Sequence, residues 1–339
     1  MRHGFGVRLL RVTAMLCAVA LLCAPAAGCA SVVRTNAPLS RTDFALDTTV
    51  TVTLYGTQEE ALLGGCFDRI GQYERLFSRT WEGGDVWRIN HAGGAPTEVS
   101  PATCELLRLA LEMGEKSGGA FDVTIAPASS LWDFTAADPV VPSGEALAAA
   151  AARVDYRRVT ADTQEGTVTL SGDGTAIDLG GIAKGYIADR LADYLAENGV
   201  DSALLDLGGN IYVLGKKSGR PWRVGIRDPK DPQGLAAMVE AENASVVTSG
   251  VYERAFTVDG VVYHHILDPA TGKPVRNGLA SVTIVSDKSA DGDALSTACF
   301  VLGEDAGMRL VESLAGVEAL FIREDGTLAA SKGLVYEEK

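Results

Sequence analysis

The amino-acid sequence predicts an α/β protein of the α+β kind, in which helices pack on mixed sheets within a single domain. Three observations support this class. Hydrophobic residues make up 47% of the 339-residue chain, which is enough to bury a sizeable core. Segments with the period of a strand alternate with segments that have the period of a helix. The 38 glycines fit many tight turns, and the sequence shows no internal repeat and no interdomain linker.

The first 28 residues have the composition of a secretory signal. They combine a basic start, an apolar stretch over residues 12–24 and small residues before a cysteine. The apolar stretch is too short to span a membrane comfortably. Because the ending "AAGC" resembles a bacterial lipobox, with Ala26 where Leu is usual, we expect Cys29 to be lipidated; ordinary cleavage near Ala27 is the alternative. Residues 29–42 would then be a lipidated tether, and residues 43–335 the folded domain.

Charge and cysteine content argue against nucleic-acid binding and against a zinc site. The net charge is −14 and no basic run occurs, so nucleic acid is not expected as a partner. A polyanionic small molecule would need a metal ion to offset the charge locally. Beyond residue 29 the cysteines are widely spaced in apolar helical patterns, which does not indicate a zinc site. They are Cys66, Cys104 and Cys299.

Hydrophobic periodicity and capping residues predict the elements of the first half of the chain. We expect a strand over residues 44–56, a helix over 57–79 capped by Thr57, a helix over 100–119 capped by Ser100, a short helix near 143–152, and a hairpin over 166–181 that turns at 172–174.

The second half begins with a helix and continues mainly as strands. We expect a helix over residues 182–198, strands within 202–215, 221–229, 244–250, 255–269 and 279–286, helices over 291–302 and 304–314, and two closing strands.

Residues 178–191, "DLGGIAKGYIADRL", place an acid, two glycines and a lysine where extended chain becomes helix. Gly180 and Gly181 permit close approach of a ligand or a positive φ. The free N–H groups of the helix start, together with Lys184, favour an anion. The segment alone leaves two interpretations open, a phosphate cradle and a packing turn.

Residues 291–303, "DGDALSTACFVLG", carry oxygen donors at helical spacing. Asp293 and Thr297 are four residues apart and share a helix face, with Ser296 beside them. Carboxylate and hydroxyl oxygens suit Mg²⁺, which also keeps waters and substrate phosphate oxygens. A solvent-facing helix start with an acidic cap is the alternative.

Two histidines precede the turn "DPATG" in "YHHILDPATGKP". On a strand His264 and His265 face opposite sides, so we expect at most one of them to act directly. A surface pair is the alternative. Two further segments end in glycine turns or helix stops and complete the pattern, "LLDLGGN" and "GGAFDVT".

Together these segments resemble the ApbE family of FAD:protein FMN transferases, and they follow the family's order over residues 44–330. The family often has Met-Gly-Thr where this chain has Leu46-Asp47-Thr48. The motifs that carry the resemblance are "GAFDVTIAP", "DLGGIAKGYIADRL", "LLDLGGNIYVLG", "HHILDPATGKPV" and "DGDALSTACFVLG".

The resemblance implies a reaction. Family members take FAD and Mg²⁺, transfer the FMN half to a Thr or Ser hydroxyl of an acceptor protein, and release AMP. Acceptors are redox-complex subunits or small FMN-binding domains. Members are extracytoplasmic and often lipoproteins, which agrees with an enzyme anchored to the bacterial cell membrane through Cys29.

The resemblance also implies roles for individual residues. The metal ligands match Asp293, Thr297 and the backbone carbonyl of Gly181, with Ser296 where some members have Asp. His265 is the expected base, because an imidazole near its ordinary pKa can accept the acceptor's proton, and His264 would orient the ligand. An acid elsewhere in the chain is the alternative base. The remaining positions expected to contact FAD are Asp178, Lys184, Leu46, Trp81, Ala120, Phe121 and Asp122. The alternatives are a metal-dependent FAD pyrophosphatase and a non-catalytic flavin-binding lipoprotein.

Overall fold

The computed structural model describes residues 37–339, which form one compact unit. The predicted signal segment, Cys29 and the first part of the tether lie outside the described residues. Strand pairing begins at Leu39, within the segment 29–42 that was expected to be a tether, and the last strand ends at Glu338, past residue 335. Both ends of the unit are longer than predicted because each is held by a neighbouring strand.

The strands of residues 37–339 are short, and every pairing between them is antiparallel. In chain order they are β1 (Leu39–Ala45), β2 (Thr48–Leu54), β3 (Thr97–Glu98), β4 (Val159–Asp162), β5 (Thr167–Leu170), β6 (Ser202–Leu207), β7 (Asn210–Gly215), β8 (Trp222–Arg227), β9 (Leu235–Ala241), β10 (Ala244–Gly250), β11 (Ala255–Val258), β12 (Val261–His264), β13 (Leu279–Ser286), β14 (Val317–Arg323), β15 (Leu328–Ala330) and β16 (Tyr336–Glu338).

The helices lie between these strands, and most carry an apolar stripe that is buried. They are α1 (Glu60–Phe77), α2 (Asp85–His91), α3 (Pro101–Lys116), α4 (Ala126–Ser129), α5 (Gly144–Ala151), α6 (Ala183–Glu197), α7 (Ser289–Leu302) and α8 (Glu304–Glu312).

A large sheet, ordered β1-β2-β6-β7-β10-β13-β14-β15, separates two layers of the core. Helices α1, α6 and α7 contribute to the larger layer, where Ile70, Leu191 and Phe300 are almost fully buried. The opposite face packs on the small sheet β16-β9-β8 through side chains that include Trp222 and Ile322. This arrangement of helices on antiparallel sheets confirms the predicted fold class.

Several predicted elements differ in detail. Residues 44–56 are not one strand: β1 turns into β2 through Leu46 and Asp47, whose φ angles are 54° and 56°. Type I′ turns need positive φ at both central residues, and Leu is a poor signal for that geometry. Helix α1 starts at Glu60 without a side-chain cap, while Thr57 accepts the N–H of Glu59 instead.

The predicted hairpin over 166–181 is also wrong. Strand β5 pairs with the preceding β4 and with β3, and the chain after residue 174 runs extended without joining a sheet. It is held by Asn90, whose amide bonds both the N–H and the carbonyl of Ile177. Strand β9 was not expected from the sequence.

Helix α3 begins as expected, since the Ser100 side chain accepts the N–H of Thr103. The helices predicted near 143–152, 182–198, 291–302 and 304–314 are all present, with ends shifted by at most two residues. Within residues 37–339, no helix has both the length and the hydropathy that a bilayer crossing requires.

Candidate active site

Helices α6 and α7 meet at their N-terminal ends, and this junction builds the centre of the site. The backbone N–H of Gly185 donates to Asp293 Oδ2 at 3.0 Å. The Asp189 carboxylate accepts the N–H groups of Ser289 (2.8 Å) and Ala290 (3.0 Å), so a residue of α6 caps α7. Burial raises the pKa of Asp189 to about 6. Asp189 was not identified from sequence, because its contacts are with residues about 100 positions further along the chain.

Lys184 lies over the buried carboxylate of Asp293. Its Nζ is 3.5 Å from Asp293 Oδ1, and the exposed fractions of the two side chains are 28% and 5%. A buried carboxylate needs partners of this kind to remain charged. The pair brings together two of the segments singled out from sequence, whose residues are 109 positions apart.

A chain of hydroxyl groups continues from Asp293 along α7. Ser296 Oγ donates to the Asp293 carbonyl at 2.9 Å and lies 2.8 Å from Ser249 Oγ. Ser249 Oγ is 3.5 Å from Thr297 Oγ1. Ser249, at the end of β10, was missed because a serine near a strand end carries no distinctive pattern.

Gly181 brings its backbone close to Thr297. A β-carbon at Gly181 would lie 3.8 Å from Thr297 Oγ1 and 3.1 Å from the ring of Phe121. Gly181 does not have the positive φ that would favour glycine, so its role here is close approach. Gly181, Thr297 and Phe121 are therefore neighbours.

The donor set at this junction fits a hard cation such as Mg²⁺. Within the described residues no three His, Cys, Asp or Glu side chains come together as a metal site. Asp293 and Thr297 instead offer one carboxylate and one hydroxyl oxygen on α7, with the Gly181 backbone beside Thr297. Mg²⁺ often uses few protein ligands beside water and phosphate. Ser296 already bonds α7 and β10, so ligation by Ser296 would compete with these contacts.

Asp178 closes the turn before α6. Its Oδ1 accepts the N–H of Gly180 at 2.9 Å, and its Oδ2 accepts from Ser129 Oγ at 3.2 Å. Arg79 Nε lies 3.3 Å from the same oxygen. Sequence reasoning missed Arg79, which stands two residues before the predicted Trp81. Asp178 is thus a fixed, partly exposed acid at the edge of the site.

Within segment 120–122, Phe121 faces the candidate site, whereas Asp122 stabilises the loop. Phe121 is buried, and its ring is the one that faces Gly181. The Asp122 carboxylate accepts the N–H and hydroxyl of Thr124 and the N–H of Tyr156. Burial raises the pKa of Asp122. Asp122 holds this loop in place, whereas Ala120 is only partly buried.

The two histidines face different surroundings, as expected for neighbours at a strand end. His264 is buried: Nε2–H donates to the Val275 carbonyl at 2.8 Å, Nδ1 accepts the N–H of Ile266 at 3.3 Å, and the ring packs edge-on against Phe300. With both ring nitrogens bonded to backbone, His264 supports the loop, and a ligand-orienting role would have to act through that loop.

His265 has a nitrogen that the protein does not use. Its Nδ1 is buried and has no hydrogen-bond partner within residues 37–339, while its backbone N–H donates to the Arg254 carbonyl at 3.0 Å. The pKa of His265 is lowered to about 4, mainly by burial and also by the charges of Arg254 and Lys184. The ordinary pKa assumed from sequence is therefore wrong for the ligand-free protein. His265 is neutral at pH 7 and can accept a proton.

Two charged residues beside His265 were missed. Arg254 Nη2 donates to the Asp47 carbonyl at 3.2 Å, which ties the β1–β2 turn to the site. Burial raises the pKa of Glu253, while Lys184, Arg227 and Arg254 oppose that rise. The signal was the pair "ER" shortly after β10, without a spacing that predicts chemistry.

Leu46 and Trp81 lie at the periphery. The Leu46 N–H donates to Glu74 Oε1 at 2.7 Å, and Leu46 adopts a φ that strains a bulky side chain. Trp81 is 51% exposed, with the Arg75 guanidinium 5.5 Å from its ring centroid. Contact of either residue with FAD stays a prediction.

Comparison with known proteins identifies a matching family and similar sequences. The model of the ApbE family matches residues 46–321. The chain is 40% identical to a FAD:protein FMN transferase of Treponema pallidum over 87% of each chain, and 37% identical to one of Klebsiella pneumoniae over 81% of this chain and 86% of the other.

Solved structures with a similar fold carry the same family name. The fold resembles an ApbE protein of Thermotoga maritima with a TM-score of 0.82 at 34% identity, covering 87% of this chain and 97% of the other. It resembles the flavin transferase ApbE of Vibrio cholerae with a TM-score of 0.78 at 28% identity and the same coverage.

Proposed function

The chain belongs to the ApbE family, a family of FAD:protein FMN transferases, and we propose that it transfers the FMN moiety of FAD to a Thr or Ser hydroxyl of an acceptor protein, with Mg²⁺ as cofactor and AMP as the second product. The observation that carries this proposal is the junction of α6 and α7, where Lys184 pairs with Asp293 one helical turn before Thr297. The charge of Lys184 also acts on His265, whose Nδ1 has no hydrogen-bond partner within residues 37–339.

The reaction exchanges one phosphorus–oxygen bond for another. The acceptor hydroxyl oxygen bonds to the FMN-side phosphorus of FAD, and the bond from that phosphorus to the bridging oxygen breaks. The bridging oxygen leaves with AMP, and the hydroxyl proton must go to a base. Such a reaction depends mainly on positioning and on neutralising phosphate charge.

The junction supplies that charge compensation. The backbone dipole at the N-terminus of α6 favours an anion at the turn before it, although the N–H of Gly185 is already bonded to Asp293. Lys184 adds a full positive charge at the same end. Asp293, Thr297 and the Gly181 carbonyl would hold Mg²⁺, which neutralises phosphate oxygens when bound.

His265 accepts the proton in this account. Within the part of the chain that the structure describes its Nδ1 has no partner, and its lowered pKa keeps the ring neutral at physiological pH. Bound FAD brings negative phosphate charge near Lys184, which raises the pKa of His265 and makes it a stronger base when the substrate is present.

The same proposal includes the location. Cys29 would carry acyl chains that anchor the enzyme to the outer face of the bacterial cell membrane, with residues after it as a tether. Acyl chains are needed because a net charge of −14 gives the chain no attraction to anionic lipid. The acceptor would then be a flavin-carrying redox subunit or a small FMN-binding domain exposed on that side.

Incubation with FAD and Mg²⁺, with and without a flavin-free acceptor domain, tests the function. We expect FAD to be consumed only when the acceptor domain is present, and the FMN moiety then to be bound to that domain. Free FMN and AMP without acceptor modification would favour a pyrophosphatase that uses water. Unchanged FAD would indicate a binding protein without catalysis.

A further inference from the structure

A groove of about 550 Å³ lies beside the loop that follows the two histidines. Its lining combines apolar and cationic side chains, and the proposed reaction uses none of them. Those that matter here are Trp132, Tyr263, Asp268, Lys273, Arg276 and Val301. We call this feature the loop groove.

The loop groove is joined to the candidate active site by backbone bonds. Its lining residue Val275 accepts the Nε2–H of His264 at 2.8 Å and donates its own N–H to Ile266 at 3.0 Å. The wall of the groove is therefore fixed to the strand end that carries His265. A ligand in the groove lies beside the segment that holds the base.

Helix α7 provides a second connection. Val301 lines the groove and follows Thr297 by four residues, so the two share a helix face and lie about 6 Å apart along the axis. Both are partly exposed, whereas residues 298–300 between them are buried. One accessible face of α7 thus runs from the predicted metal ligand to the groove.

The groove carries excess positive charge on a strongly acidic protein. Lys273 and Arg276 are exposed, and within residues 37–339 neither forms an ion pair. The Asp268 carboxylate is occupied inside its own turn, where it accepts the N–H of Ala270 and the hydroxyl of Thr271. An acidic partner would therefore be attracted here while the rest of the chain repels it.

The aromatic rings of the groove are not free to stack on a purine. Trp132 stacks on Phe134 at 5.8 Å and donates its indole N–H to the Gly272 carbonyl. Tyr263 stacks on Phe256 at 5.5 Å, and the Arg276 guanidinium lies 5.7 Å from its ring centroid. With these faces already covered, the groove suits a peptide better than a nucleotide.

We propose that the loop groove docks an acidic segment of the acceptor protein and so brings the acceptor hydroxyl to His265. This inference rests on the proposed function, because it names how the protein substrate of that reaction is recognised. Lys273 and Arg276 contact acceptor carboxylates, and the apolar walls hold side chains of the same segment.

The test uses the full domain and a purified, flavin-free FMN-binding domain as the probe. We expect Lys273→Glu to raise the KM for that domain about tenfold or more, since it places like charges together, and to leave the FAD dissociation constant within about twofold. Lys332→Glu is the matched control, because Lys332 is exposed and pairs only with Glu312 in the described residues. Arg276→Gln serves as the second variant, and thermal unfolding confirms that each variant is folded.

An unchanged KM for the acceptor in Lys273→Glu and Arg276→Gln would overturn the proposal. If these variants bind FAD more weakly and AMP competes for the groove, the loop groove is a nucleotide site instead. Calorimetric binding of the flavin-free domain separates this inference from the proposed function. If the wild type transfers no FMN, the proposed function fails. Independently of that result, equal affinity of wild type and Lys273→Glu for the flavin-free domain would overturn the proposed docking role of the loop groove.

Discussion

Gly185 and Ser289 pack backbone against backbone, so that a β-carbon at Gly185 would lie 2.2 Å from the Ser289 carbonyl oxygen. This close approach lets the N–H of Gly185 reach Asp293 Oδ2. The approach of two helix ends thus fixes the acid that is predicted to hold the metal.

Gly185→Ala should therefore separate α6 from α7. We expect a loss of unfolding free energy of about 1–3 kcal/mol, typical of overpacking, and a loss of activity beyond what that destabilisation explains. Gly64→Ala is the control, because Gly64 lies in α1 with nothing within 4 Å of the added carbon, and should be stabilising by about 0.5–1 kcal/mol. Urea unfolding of both variants measures the difference, and equal stability would show that the helix contact is not tight.

Asp293→Ala should remove the charged metal ligand. We expect FMN transfer to fall by about 10²-fold or more, as when a main electrostatic contributor is lost. EDTA should have the same effect on the wild type, and added Mg²⁺ should reverse EDTA but not the mutation. Isothermal titration of Mg²⁺ checks the ligand role separately from activity. Full activity of Asp293→Ala in EDTA would remove the metal from this account.

The fold could be predicted from the sequence more completely than the contacts of the candidate site. The fold class and most helices follow from periodicity and caps such as Ser100. The β1–β2 turn did not, because Leu46 adopts a positive φ that its side chain disfavours. Asp189, Ser249 and Arg254 were missed because their importance arises from tertiary contacts with distant segments, which no local pattern encodes. The pKa of His265 was misjudged for the same reason, since burial and two distant cations set it.

Lys184 and His265 should be separable by their effects on binding and on pH dependence. Lys184→Ala should weaken FAD binding and turnover, because its charge acts on the bound phosphates. His265→Ala should leave FAD affinity within a few-fold and slow transfer by about 10²–10⁴-fold, the usual span for a lost general base. Fluorescence titration of FAD and a transfer assay on each variant measure the two quantities.

The pH profile follows from the lowered pKa of His265. Because that pKa is about 4 rather than the ordinary 6.5, the base is protonated only as the pH falls toward 4. Wild-type kcat/KM should stay flat as the pH falls through 6.5 and should decline only as the pH approaches about 4. Lys184→Ala should move the decline to higher pH, since the charge of Lys184 lowers that pKa. A wild-type inflection at 6.5 that His265→Ala retains would assign the base to another group.

Lipidation at Cys29 predicts membrane attachment. We expect the wild type to fractionate with membranes and Cys29→Ala to be released or mislocalised. A variant lacking residues 1–36 should remain active on a soluble acceptor domain, since the described unit begins at Ala37. Mass spectrometry of the mature N-terminus is the measurement. Wild-type protein free in the medium with an unmodified N-terminus would count against the anchor.

The stoichiometry of the products tests the central claim most directly. Purified protein, FAD, Mg²⁺ and a flavin-free acceptor domain are combined, and AMP is quantified by chromatography while FMN on the acceptor is mapped by tandem mass spectrometry. We expect one AMP for each FMN, with FMN joined to a Thr or Ser hydroxyl of the acceptor and little free FMN. AMP formed in step with free FMN, while the acceptor stays unmodified, would contradict it.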